Sequence, residues 1–215
     1  MTAQLLERFP AITVTCLEID PTLVEQARQY LHGTASDRVH FVTASIMETG
    51  LPDNSFDFAY ARLIFQHLPD PVGAAREVWR VLKPGGKLVI YDVDDSVSNL
   101  FDPPLPEIMP VLEKMAQAQA AAGGNRLIGR RLWRILKAAG FGQLDLEIVA
   151  AHSYGEGLEA FLPQIDVDRL LPLVRAGFLT DQELETARHA RERFLAAPEP
   201  YLMSLALMVC GQKPQ

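Results

Sequence analysis

Residues 13–31 decide the fold class, and their sequence is TVTCLEIDPTLVEQARQYL. The run 13–17 is apolar and rich in β-branched side chains, which predicts a strand. Asp20 then stands where a helix N-cap is expected, Pro21 suits the first helical turn, and the apolar residues that follow recur on one helical face. A strand that leads into such a helix is the unit from which parallel sheets are built.

The same alternation continues along the chain. Asp70 and Pro71 open a second helix of this kind, and a further helix is predicted at 126–139. Other strands are predicted at 39–43, 56–61, 87–91, 143–151 and 201–210. The pattern predicts an α/β fold with a doubly wound, mostly parallel sheet, helices on both faces and an antiparallel edge hairpin formed by the last two strands.

Two segments interrupt this alternation. Residues 93–124 contain four prolines and a helical run rich in Ala and Gln, whereas residues 153–200 are largely helical and contain no predicted strand. Long connections of this kind often cover a binding site. We therefore expect a single domain over 1–215 in which these two segments act as lids over the substrate.

Composition narrows the class of partner. The chain has 215 residues, 48% of them hydrophobic, and a formal net charge of -7. A negative field opposes the approach of phosphates, so we expect a small-molecule substrate and neither nucleic acid nor a membrane as partner. No apolar run reaches the length of a membrane span, and no signal peptide is evident. Two isolated cysteines, Cys16 and Cys210, fit a reducing cytoplasm.

Four short motifs occur in order between residues 13 and 92. They are CLEIDP at 16–21, LPDNSFD at 51–57, QHLPDP at 66–71 and VLKPGGK at 81–87. In this order and spacing they resemble the class I S-adenosylmethionine-dependent methyltransferases of the broad small-molecule group. The resemblance implies a seven-stranded sheet, S-adenosylmethionine as the cofactor across the carboxyl ends of the strands, and methyl transfer to a small-molecule acceptor.

Residues that follow the strands are the candidates for cofactor binding, because loops at the carboxyl ends of a parallel sheet meet at one crevice. The resemblance assigns Glu18 to the ribose hydroxyls, with Ile19 beside it. It places Ser45 near the adenine amino group and the backbone of Ile46 against the ring. Arg62 would face a carboxylate, either of the methionine part or of a substrate, because a cation beside a sulfonium is unfavourable. A solvated acid, a turn serine and a surface arginine remain the alternatives.

No catalytic residue is assigned from the sequence. His67 offers a general base for methyl transfer, but the neighbouring Leu-Pro-Asp-Pro sequence favours a role in packing a turn. Asp92, Asp94 and Asp95 are the kind of oxygen ligands that hard cations prefer. Since no second acidic cluster accompanies them, no metal site is predicted.

The resemblance also implies a part that this sequence lacks, because no strand with a glycine-rich turn precedes residues 13–17. Without that central strand, 13–17 and 56–61 face a gap of about one strand spacing or pair directly. We consider truncation, a strand supplied by another polypeptide, and a re-paired sheet, and we favour truncation because 2–10 reads as the end of a helix.

This incomplete sheet bears on association and on activity. It leads us to expect a homo-oligomer or a partner chain that completes the sheet. Without the glycine-rich loop, this chain alone is expected to have little or no activity. The competing function is that of a noncatalytic, degenerate homologue that acts as a binding or partner subunit.

Overall fold

The computed structural model describes residues 2–33 and 36–215 and confirms the α/β class, with a mixed sheet and helices. In chain order the α-helices are α1 (Thr2–Arg8), α2 (Pro21–Tyr30), α3 (Pro71–Val81), α4 (Met109–Ala121), α5 (Leu132–Ala138), α6 (Ser153–Glu156), α7 (Leu171–Arg175) and α8 (Asp181–Leu195). The strands are β1 (Val14–Glu18), β2 (Val39–Thr43), β3 (Phe56–Arg62), β4 (Leu82–Asp92), β5 (Asn99–Asp102), β6 (Gly142–His152) and β7 (Tyr201–Gln212). Within the two described ranges, no helix is both long and apolar enough to cross a bilayer.

In the described ranges, these strands form two sheets. β1 and β2 are a parallel pair that runs in register from Val14 opposite Val39 to Glu18 opposite Thr43. The larger sheet has the order β3-β4-β7-β5, with β6 also paired to β7. β3 and β4 are parallel, whereas β7 is antiparallel to β4, β5 and β6. The predicted antiparallel edge hairpin is therefore formed by β6 and β7, and β6 is an outer strand of the larger sheet.

Two parallel strands keep an edge without a strand partner. Within residues 2–33 and 36–215, β1 pairs with β2 alone and β3 pairs with β4 alone. The sheet has therefore not closed up by pairing β1 with β3, which was one of the arrangements considered from the sequence. Unpaired donors and acceptors along such edges are available to another strand. The absence of the family's first strand stays a prediction.

The predicted helix starts are confirmed in detail. A carboxylate oxygen of Asp20 accepts a hydrogen bond from the amide of Thr22 at 2.7 Å at the start of α2. Asp70 caps α3 in the same way by accepting from the amide of Gly73 at 2.8 Å. A Cβ atom at position 73 would lie 2.4 Å from a carboxylate oxygen of Asp70, so a larger residue there would force this capping side chain to shift.

The main hydrophobic core lies between the larger sheet and helices α3 and α5. Phe65, Leu82, Ile90, Leu132 and Val209 are among its fully buried members. A second cluster packs α8 against β5 and β7, with Leu202, Phe194 and Phe101 in contact. The two clusters hold the strand ends of the larger sheet in fixed positions.

The structure differs from the predicted elements after β4. Residues 93–124 include the short strand β5, which the sequence pattern did not indicate. The helix predicted at 126–139 is shorter, with a 3-10 turn at Gly129–Arg131 before α5. The amide of Gly129 donates to the carbonyl of Val93 at 2.9 Å, and this contact with the end of β4 takes the place of a regular first helical turn. β4 also begins earlier than predicted, at Leu82. The strand includes Gly85, whose φ is 78°.

Candidate functional site

The carboxyl ends of β1, β3 and β4 carry Glu18, Arg62 and Asp92, and we call these three strand ends the rim. The connection after β2 joins the two sheets near this rim. The amide of Ala44 donates to the carbonyl of Glu18 at 3.0 Å, and Ile46 packs against the main core. The fold therefore fixes the carboxyl end of β1 and the following connection relative to the larger sheet.

The side chain of Glu18 turns toward the residues directly before α2. One of its carboxylate oxygens accepts hydrogen bonds from the amides of Ile19 at 2.8 Å and Asp20 at 3.0 Å. These two backbone donors hold the carboxylate in one direction. No hydrogen bond reaches its other oxygen from the part of the chain that the structure describes. Ile19 beside it exposes 68% of its surface, so an apolar side chain stands next to this carboxylate.

Ser45 and Ile46 lie at the start of the connection after β2, and their side chains contact other parts of the protein. The Ser45 hydroxyl accepts a hydrogen bond from the amide of Met47 at 3.1 Å, and a backbone bridge links Ser45 to Glu48. The hydroxyl thus stabilises its own turn. The side chain of Ile46 packs against the main core.

Arg62 ends β3 and is exposed. Its guanidinium lies over the ring of Tyr91, with 5.5 Å between the guanidinium carbon and the ring centroid. Tyr91 is also the residue opposite Arg62 in the register of β3 and β4. The stacking favours one direction for a side chain that would otherwise move freely in solvent.

His67 lies at the end of the 3-10 turn Phe65–His67, directly before α3. Its amide donates to the carbonyl of Ile64 at 2.9 Å. Burial, and to a smaller extent the charge of Arg126, lower the pKa of His67 below its ordinary value. The imidazole is therefore neutral at pH 7, and the residue occupies the turn that its sequence context indicated.

A buried network next to this turn was missed by the sequence reasoning. The Asp92 carboxylate accepts from the amides of Val93 at 2.9 Å and Gln66 at 3.1 Å, and its burial raises its pKa. The carbonyl of Gln66 accepts from the Gln119 side chain and from the amide of Asn125, each at 2.7 Å. Gln66 belongs to the QHLPDP motif, but nothing in the motif shows that α4 would be anchored to it. This network ties the segment 93–124 to the rim.

The other two acids of the suspected cluster are paired with arginines. Asp95 forms an ion pair with Arg126, and Asp94 forms one with Arg130. Hydrogen bonds from Arg130 lower the pKa of Asp94 below its ordinary value. Among residues 2–33 and 36–215, no group of three His, Cys, Asp or Glu side chains is arranged to hold a metal ion. The ion pairs instead connect the end of β4 to the chain before α5.

Two shallow cavities lie away from the rim. One shallow cavity lies between Asp166 and Arg188, and another lies at the opposite end of the sheet near Gly142 and Gln215. Neither of the two is lined by Glu18, Ser45 or Arg62.

Comparison with known sequences gives matches over the N-terminal part of the chain. Residues 1–90 match the family model described as a methyltransferase domain. A sterol 24-C-methyltransferase of Aspergillus fumigatus is 35% identical over 91 residues, which are 42% of this chain and 24% of that protein. A demethylmenaquinone methyltransferase of Listeria welshimeri is 30% identical over 105 residues, 47% of this chain and 44% of that protein. The matches thus span less than half the length of these relatives.

A solved structure gives the fold of the whole chain. Phosphoethanolamine N-methyltransferase 2 of Haemonchus contortus, solved with phosphomonomethylethanolamine and S-adenosylhomocysteine, has a TM-score of 0.61. It is 18% identical and covers 100% of this chain and 46% of its own length. At this identity the likeness establishes a shared fold.

Proposed function

We propose that this chain, whose residues 1–90 match the family model described as a methyltransferase domain, forms part of a protein that transfers a methyl group from S-adenosylmethionine to a small-molecule acceptor. The match over residues 1–90 carries the proposal, because those residues include the ends of β1 and β3 and the connection after β2. Loops at the carboxyl ends of parallel strands are where an open α/β sheet binds a nucleotide.

The residues at the rim fit part of the cofactor. The partner-free oxygen of Glu18 suits a ribose hydroxyl, and the exposed side chain of Ile19 suits the apolar edge of an adenosine. Arg62 suits a carboxylate of the methionine part or of a substrate. The Ser45 hydroxyl already accepts one hydrogen bond within its own turn, so it would offer the adenine amino group its remaining acceptor site, and the backbone around Ile46 would supply the other contacts.

When bound, S-adenosylmethionine supplies a methyl group on a positively charged sulfur. The chain's own contribution would be to hold that group in line with the acceptor atom, since proximity and orientation supply much of the rate in such transfers. No side chain is assigned as a general base. The neutral imidazole of His67 stands near the rim, but the turn that it closes accounts for its position.

The acceptor would be chosen by the segments 93–124 and 153–200, which we propose as lids within a single domain. The first is anchored at the rim through Gln119 and Gln66. The second carries α6, α7 and α8 and packs against β5 and β7 through α8. A segment that is tied to the rim at one point is well placed to cover a ligand there.

We further propose that a strand of another chain, or of a second copy of this one, pairs with the free edges of β1 and β3. Both strands lack a partner on one side within the described ranges. Unpaired backbone groups favour such addition because each new hydrogen bond satisfies a donor and an acceptor at once.

The cofactor site is tested by calorimetric titration of the chain with S-adenosylhomocysteine. We expect binding, and we expect Glu18→Ala to weaken it about 10-fold, because one charge-assisted hydrogen bond contributes about 1.5 to 3 kcal/mol. Glu25→Ala is the matched control, since Glu25 is an exposed acid of α2 whose described ion pair is with Arg28. Absence of heat at millimolar ligand would refute cofactor binding by this chain, and equal affinities of Glu18→Ala and wild type would remove Glu18 from the site.

A further inference from the structure

The cation of Arg62 has an aromatic neighbour and no acidic partner within residues 2–33 and 36–215. Two other arginines near the rim, Arg126 and Arg130, form ion pairs with Asp95 and Asp94. Arg62 takes part in none of the described ion pairs, although it ends β3 beside the same loops. Its charge is therefore left available for a ligand.

Tyr91 and Tyr60 share one face of the sheet with Arg62. Arg62 lies opposite Tyr91 in the parallel register, and Tyr60 precedes Arg62 by two residues on the same strand. Side chains two residues apart on a strand point to the same face. Burial raises the pKa of Tyr60, and the charge of Arg62 acts in the opposite direction, which is consistent with the guanidinium lying close to the phenol.

Stacking on Tyr91 controls the direction of the guanidinium without consuming its hydrogen-bond donors. The guanidinium carbon lies 5.5 Å from the ring centroid, within the range of a cation–π contact. The N–H groups lie in the plane of the guanidinium and remain free at its edge. A planar fork held in this way matches a carboxylate, which accepts two parallel hydrogen bonds.

We propose that Tyr91 is a positioning residue that holds Arg62 in place to bind the carboxylate of the methionine part of the cofactor. This inference rests on the proposed function and narrows the choice that was left open for Arg62. The cofactor's carboxylate is preferred to that of a substrate because Arg62 lies within residues 1–90, the part that matches the methyltransferase domain model.

The test compares two ligands by calorimetry, S-adenosylhomocysteine and its decarboxylated analogue, which lacks only the carboxylate. We expect the wild type to prefer S-adenosylhomocysteine by about 10-fold and Arg62→Met to bind both ligands alike. Tyr91→Leu should reduce the preference about 3-fold, since a cation–π contact of an exposed pair is worth about 0.5 to 1 kcal/mol, whereas Tyr91→Phe should retain it.

A purely structural role of Tyr91 predicts a different result. Loss of packing in Tyr91→Leu would lower the affinity for both ligands equally and leave the preference unchanged, and that outcome overturns the inference. Equal binding of the two ligands by the wild type also overturns it while leaving the cofactor site intact. If neither ligand binds to the wild type, the proposed function itself is refuted, and with it the inference.

Discussion

At the scale of single residues, Lys213 shows how a buried cation is accommodated near the end of the chain. Only 6% of its surface is exposed, and its ammonium donates to the side-chain oxygen of Asn54 and to the carbonyls of Trp79 and Leu82 at 2.8 to 2.9 Å. The same group lies 3.9 Å from the ring centroid of Trp79. Burial lowers the pKa of Lys213, and the carbonyl oxygens at the end of α3 compensate for lost water.

We predict that Lys213→Met lowers the free energy of unfolding by about 3 kcal/mol, because the side-chain oxygen of Asn54 and the carbonyls of Trp79 and Leu82 lose a charged donor. Urea unfolding followed by circular dichroism measures the change. Lys87→Met is the control, since Lys87 is exposed on β4, and it should change the free energy of unfolding by less than about 0.5 kcal/mol. If the two variants lose equal stability, the contacts of Lys213 contribute nothing particular.

Glu18 and Arg62 illustrate a second point at this scale. Both residue types were recognisable from the sequence as candidates, and the structure places both at strand ends. The partners that restrict them, the amides of Ile19 and Asp20 in one case and the ring of Tyr91 in the other, depend on backbone direction and strand register. The identity of a residue alone determines neither backbone direction nor strand register.

At the scale of elements, one acidic side chain connects α3 to the chain that follows β2. Glu77 accepts from the amide of Thr49 at 3.0 Å and from its hydroxyl at 2.6 Å. Arg80 donates to both oxygens of the same carboxylate at 2.7 and 2.8 Å. These bonds, chiefly those from Arg80, lower the pKa of Glu77 from 4.5 to about 2. The connection after β2 is thereby attached to the helix that packs on the larger sheet.

A pKa that is lower in the folded state than in the unfolded state stabilises the fold when the group is ionised. The stabilisation by Glu77 is therefore complete above pH 4.5 and is lost as the pH falls toward about 2. We predict that Glu77→Gln lowers the free energy of unfolding by about 2 kcal/mol at pH 7, and that the difference from wild type shrinks between pH 4.5 and about 2.

The measurement is urea unfolding of wild type and variant at a series of pH values. Glu48→Gln, a change of an acid in the same connection, controls for the loss of one negative charge. A difference between wild type and Glu77→Gln that stays constant down to about pH 2 would contradict the assigned role of the carboxylate.

At the scale of the whole molecule, β1 and β3 each keep a free strand edge within residues 2–33 and 36–215. We predict that the chain self-associates with rising concentration, because β1 and β3 expose unpaired backbone groups within the described ranges. Phe58 on β3 is 55% exposed, and a charge there should hinder the approach of another strand. Phe58→Lys is therefore expected to shift the chain toward the monomer in sedimentation velocity experiments.

The control for this experiment lies on the outer edge of the same sheet. Leu146 on β6 is 40% exposed, and Leu146→Lys should leave the sedimentation profile unchanged. A wild-type chain that stays monomeric at all concentrations speaks against self-association and leaves a different chain as the partner. If Leu146→Lys shifts the chain toward the monomer and Phe58→Lys does not, the interface lies at β6 and not at β3.

The sequence by itself determined the class of fold and most of its elements. The helix caps Asp20 and Asp70 form as predicted because the cap depends on residues that are two or three positions apart in the chain. The strands predicted from apolar runs also exist, with ends that differ by one residue at β1 and by several at β4. The four motifs between residues 13 and 92 indicated the resemblance to methyltransferases for the same reason, since each is a short local sequence, and residues 1–90 match the methyltransferase domain model. The site residues assigned from them remain proposals.

Only the tertiary structure decided how distant parts meet. β5 forms because β7 offers it an antiparallel partner, and its four residues carry too weak a pattern to be read alone. Asp92, Gln66 and Gln119 come together from three elements. Lys213, near the end of the chain, likewise meets the end of α3. The separation of β1 from β3 likewise depends on which strands are present to pair. Such contacts join residues far apart in sequence, so their energy is set by the packing of the whole chain and leaves no periodic pattern in any one segment.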